Sequence, residues 1–152
     1  LAVQFRLVVA ARRGDDETMD RLAALGGHLA GVEHADGYSA DDLDAILDRV
    51  DVGLVPVLWH DNLPQVAIEM HARHIPLLCA DRGGAQELGN SPDMVFAAGD
   101  TAAFAGRLRA LARGRVDFDA YWRGARAPTT MAAHLADLEE VYRGPAAAAQ
   151  AV

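Results

Sequence analysis

DVGLVPVLWHDNLPQVAIEMHARHIPLLCADRGGAQE, residues Asp51 to Glu87, holds one strand–helix–strand unit together with its turns. Val52 to Leu58 is an almost continuous apolar run with β-branched residues, the pattern of a central strand covered on both faces. Trp59-His60-Asp61-Asn62 then forms the loop at the carboxyl end of that strand, where open parallel sheets bind ligands. Pro64 suits a first helical turn, with Asn62 or Leu63 just ahead of it, and predicts a helix over 64–73 whose amino terminus faces the crevice. Ile75 to Ala80 reads as a second buried strand, and Asp81-Arg82-Gly83-Gly84 as the turn that closes the unit.

The same alternation continues on either side. Phe5 to Ala10, Gly31 to His34 and Met94 to Ala97 are further strand candidates, and helical patterns run over 15–28, 39–49 and 100–113. Strand and helix in alternation mean a parallel α/β sheet, here a Rossmann-like, doubly wound sheet of about five strands. Residues 1–115 make up this core. From Val116 the strand pattern stops, and two helices, Phe118 to Ala125 and Thr129 to Tyr142, are expected to pack outside the sheet. Met131, Leu135, Leu138, Val141 and Tyr142 recur every three or four residues, as in a helix burying one stripe. Residues 145–152 are alanine-rich and are expected to form a flexible tail.

Composition bounds the function. The 152 residues are 51% hydrophobic, one domain's worth of chain with enough apolar surface for a substantial core. A formal charge of −8 argues against a nucleic-acid partner or an anionic-membrane surface, since both demand clustered positive charge. No stretch approaches transmembrane length, and Leu1 to Arg6 lack the layout of a signal peptide. The expected compartment is cytoplasmic, and a peripheral place at the inner membrane is compatible with it. A single cysteine, Cys79, lies in an apolar strand and reads as a core residue. All fourteen basic residues are arginine, which excludes a Schiff-base lysine and a P-loop.

Several residue groups admit a chemical and a structural reading. Asp15-Asp16 follows the first strand, as a phosphoacceptor cluster would, but also suits a loop opening a helix. Asp42-Leu43-Asp44 and Asp117-Phe118-Asp119 have the pattern of a metal-binding acidic triplet, and capping a first helical turn is the alternative. Gly26-Gly27 with Gly31 matches a dinucleotide fingerprint poorly and reads as a helix stop. His71 and His74 stand at helical spacing for a zinc pair without an evident third ligand, and surface or helix-end positions account for them otherwise. Arg12-Arg13 closes the first strand, either touching phosphate or solvated. Glu69, odd in the apolar helix segment around it, can accept the paired hydroxyls of a ribose or pair with Arg73 four residues on.

Asp61 and Glu69 have seven residues between them. With that spacing, residues 51–88 resemble the signature of retaining glycosyltransferases of the GT-B fold, in the sucrose-synthase-like and bacterial-polysaccharide group 1 family. The resemblance covers roughly residues 5–112. It implies that Glu69 holds the ribose of a nucleotide-sugar and that Asp61 lies near the donor sugar in the catalytic position, with Asn62, Leu63 and Pro64 forming the adjoining loop. Gly37-Tyr38-Ser39 resembles the family's turn near the base, and Gly83-Gly84 continues the pattern. Asp61 is shorter than the usual glutamate, and His74 stands where a helix-ending glycine is customary.

On this resemblance the chain is one half of a GT-B fold. It would bind a UDP-, GDP- or ADP-linked sugar, with no metal and no cofactor, for transfer to a glycan, lipid or small-molecule acceptor. Its expected partner is an amino-terminal acceptor domain, toward which the last helices lean. The family's leaving-group arginine and lysine lie in a first strand–helix unit, and the chain starts too late to contain it, so residues 1–152 alone are expected to bind donor without turnover. The alternative is a stand-alone nucleotide-binding or regulatory α/β module.

Overall fold

In the computed structural model, which describes residues 5–149, the chain alternates strand and helix in the expected order. The first half comprises β1 Arg6–Ala11, α1 Asp16–Leu25, β2 Gly31–Asp36, α2 Ala40–Leu47, β3 Gly53–Val55 and α3 Gln65–His71. After these come β4 Leu77–Ala80, α4 Ala85–Gly89, β5 Val95–Phe96, α5 Thr101–Ala112, α6 Phe118–Gly124 and α7 Met131–Ala149. Local chemistry sets the helix starts. The carboxylates of Asp15, Asp100 and Asp117 accept from the backbone N–H of Thr18, Ala103 and Ala120, and Asp42 accepts from the N–H and hydroxyl of Ser39. The acidic clusters of these segments therefore serve as caps.

All strand pairs are parallel, but they form two sheets where one is expected: β1 with β2, and β3-β4-β5. The doubly wound strand order 3-2-1-4-5-6 divides into a pair and a triplet when its first position is left out, and the five strands divide in that way. β3 is also shorter than its apolar run. Pro56 has no N–H to give a neighbouring strand, so pairing stops at Val55 and Val57 to Trp59 become loop.

β4 is the centre of the core. Its four residues are all buried, and they alternate between two faces as strand geometry demands. Leu77 and Cys79 pack with Val55, Ala67, Ala85 and Leu88, while Leu78 and Ala80 pack with Met94, Phe96 and Tyr121. Helices thus cover both faces, and burial pushes the Cys79 thiol up to about 11, which keeps it an inert core group.

The carboxyl-terminal helices depart from expectation in opposite senses. Tyr121 of α6 is 1% exposed and enters the core. Leu77 lies two positions before the β4–β5 ladder begins at Cys79, and the Tyr121 hydroxyl accepts its otherwise stranded N–H at 3.0 Å. Gly89 faces the Tyr121 ring so closely that a Cβ there would collide with it. In α7, by contrast, Met131, Leu135, Val141 and Tyr142 are exposed and Leu138 is only half-buried, so most of the apolar stripe is not buried. Periodicity marks a face without supplying a partner. α7 also runs to Ala149 through part of the expected tail, in keeping with the helix propensity of its alanine run; residues 150–152 lie outside the described residues.

His71 and His74 both lie at the carboxyl end of α3, the helix-end place expected for them, but His71 is buried there instead of on the surface. His71 is 5% exposed, its Nε2 lies 3.1 Å from the Arg126 carbonyl, and its ring packs against Trp122. Desolvation holds its pKa below the usual histidine value. His74 adopts a left-handed conformation with φ 59°. The His74 N–H bonds the His71 carbonyl and the Ile75 N–H the Met70 carbonyl, the two hydrogen bonds of a Schellman helix end. It thus occupies the backbone role of the customary glycine.

Candidate functional site

Three loops meet at the carboxyl edge of the three-stranded sheet. Those after β3 and β4 interlock through main chain: the Gly84 N–H donates to the Asp61 carbonyl at 3.1 Å. A Cβ at Gly83 would strike the Asp61 carbonyl, and one at Gly84 would strike that of Asn62. Gly83 further has φ 74°, a conformation that any L side chain would strain. Both glycines are therefore required by close approach. The loop after β5 joins the assembly, for Asp81 accepts the Ala98 N–H at 2.9 Å and its own N–H donates to the Phe96 carbonyl.

The geometry brings Asp61, Asn62, Leu63, Gly83 and Gly84 together. Leu63 lies next to Gly84, and Pro64 is the cap residue directly before α3. Asp61 is half-buried, and among the described residues no side chain bonds its carboxylate. Glu69 projects from α3, half-buried, and its Oε1 accepts from the Gln65 amide at 2.8 Å. The pairing with Arg73 is not made. Arg73 is taken by Asp44 of α2 at 2.6 Å and reaches only the main-chain carbonyl of Glu69, so among the described residues no cation pairs with the Glu69 carboxylate.

Gly37 and Tyr38 lie on the other sheet, in the turn after β2. Gly37 has φ 68° and donates to the Ala11 carbonyl, which ties the ends of β1 and β2 together, and Tyr38 is partly exposed. No hydrogen bond joins this turn to the interlocked loops among the described residues. Arg13 is engaged by Asp36 and Asp16.

Two features escaped the reading of sequence. Leu58 and Trp59 are 67% and 65% exposed beside the site, because the chain has already left the sheet at Pro56. His60 and Arg82 meet across the loops, Nε2 to Nη1 at 2.9 Å. Only the tertiary meeting of the loops reveals that pair. No group of three or more His, Cys, Asp or Glu is placed to hold a metal ion among the described residues.

The model of the family described as "Glycosyl transferases group 1" matches residues 2–113. The chain belongs to the group 1 glycosyl transferases. The matched span includes β1 to α5 and every loop of the site, so this Rossmann-like domain is a group 1 glycosyl transferase domain, made for glycosyl transfer and thus for a sugar donor. No curated protein and no solved structure matches the chain. In the described residues of this group 1 domain no helix is long and apolar enough to cross a membrane.

Proposed function

We propose that this group 1 domain is the donor half of a retaining glycosyltransferase and binds a nucleotide-sugar at the carboxyl edge of β3 and β4. Glu69 accepts the ribose hydroxyls, Asp61 and the loop Asn62-Leu63-Pro64 lie along the sugar, and Gly37-Tyr38 approach the base. The observation that carries the reading is the glycine interlock. It fixes the Asp61 loop by main chain alone, and among the described residues no arginine pairs with the carboxylates of Asp61 and Glu69, which can accept hydroxyl hydrogens. Preorganised donors and acceptors of this kind are what a developing charge at the glycosidic carbon requires. No metal takes part in this reading.

Catalysis on this reading needs the rest of a GT-B enzyme. The division of the strands into a pair and a triplet favours a further strand–helix unit between β1 and β3, carrying leaving-group cations, and an acceptor domain across the cleft. The residues 1–152 alone then bind donor without turnover.

Amide NMR titration with UDP, GDP and ADP tests the reading. Saturable shifts over 61–69 and 83–84 with one nucleotide, lost in Glu69→Ala, are expected. Shifts confined to other residues, or none at all, would refute it and favour a module that does not bind donor.

A further inference from the structure

The loops that meet at the site are rich in acids and poor in cations. Asp61, Asp81 and Asp100 stand on them, the chain contains no lysine, and Arg82 is the one arginine in the three stretches 56–64, 81–84 and 97–100. A phosphate arriving at these three stretches would find Arg82 as their only arginine.

Arg82 is also held unlike the arginines of the tight ion pairs. Arg6, Arg21, Arg49, Arg73 and Arg143 each lie 2.6–2.8 Å from a carboxylate oxygen. Arg82 instead has His60 as its nearest partner, at 2.9 Å. A guanidinium can only donate, so Nε2 of His60 is the acceptor in this contact. That contact orients the guanidinium without neutralising it. Among the described residues the one carboxylate within 4.0 Å of it is that of Asp81, 3.9 Å from Nε, whose Oδ1 is engaged by the Ala98 N–H. Arg82 directly precedes the glycine pair locked against Asp61 and Asn62, so its backbone is fixed, while its side chain is 47% exposed and open to a ligand.

We propose that Arg82, oriented by His60, binds the phosphate oxygens of the donor's diphosphate and discriminates a nucleotide from its nucleoside. This rests on the donor-binding reading above and adds to it a cation that the chain itself supplies. Arginine suits the task because its planar fork of donors matches phosphate oxygens two at a time. As the diphosphate leaves, the same guanidinium meets the charge that accumulates on it.

The test is calorimetric titration of the full chain with UDP, GDP and ADP and with the corresponding nucleosides, at low and high salt. Charge-assisted bonds to one guanidinium should make the preferred diphosphate bind about tenfold or more tighter than its nucleoside, with the gap narrowing as salt rises. Arg82→Gln should close the gap while nucleoside affinity stays as it was, Arg82→Lys should keep part of it, and His60→Ala should narrow it. Glu69→Ala should weaken nucleoside and diphosphate alike. Should Arg82→Gln retain the full preference for diphosphate, the role of Arg82 is refuted and the donor site stands. Should the chain bind neither nucleoside nor diphosphate, both fall together.

Discussion

β1 and β4 carry almost the same residues, Leu7-Val8-Val9-Ala10 and Leu77-Leu78-Cys79-Ala80, in opposite surroundings. Every residue of β4 is buried, and none of β1 is. β4 has a strand on each side and helices over both faces; β1 has a strand on one side only, and its helix α1 contains no buried residue. An apolar run of this kind asks for four neighbours, and only the molecule's topology decides how many it receives. The β1-α1-β2 unit is the less stabilised part, with the site loops built on the better-packed triplet.

Stability measurements can break or sharpen this contrast. The largest effect is expected at Leu78, fully buried at the centre of the triplet. Leu78→Ala should cost about 2–5 kcal/mol in urea unfolding, from lost transfer energy and the cavity left behind.

A smaller loss should follow from acid alone, through the packing of α6. The His71 ring is neutral in the native core, and its depressed pKa means that below about 6.5 the unfolded chain holds a proton that the folded one refuses. Stability should therefore fall as pH drops from 7 toward 5. The carboxylates of Asp15, Glu33 and Asp42, held low by hydrogen bonds, lose their stabilisation only in more acid solution. His71→Phe should flatten the urea midpoint between pH 7 and 5; an unchanged slope would assign the acid response to other groups.

Least of all is expected from Val8→Ala, below ~1 kcal/mol because the side chain is only half-buried. A cost equal to that of Leu78→Ala would mean that β1 is as firmly packed as β4, and the contrast between the two halves would collapse.

What was legible in the sequence was local. Asp15, Ser39 with Asp42, Asp100 and Asp117 open helices as their positions suggest, since a cap needs only the three following residues. The Gly83-Gly84 turn was legible because two successive glycines after an apolar strand mark a turn. The rest depends on what meets in space. Spacing alone made Arg73 a partner for Glu69, but Asp44 of α2 takes it. One run of apolar residues at helical period, in α7, was read as buried and is mostly exposed. Pro56 could have been read as the end of β3, whereas His60 and Arg82, twenty-two residues apart, had no signal to join them.

The Tyr121 hydroxyl has a consequence for where this domain ends. The span shared with the family stops at residue 113, and Tyr121 lies beyond it. A protein trimmed at that boundary would keep every loop of the site, yet leave the Leu77 amide proton in a dry interior with nothing to accept it and an empty socket beside Gly89. The matched span and the packed unit have different ends, and α6 belongs to the second.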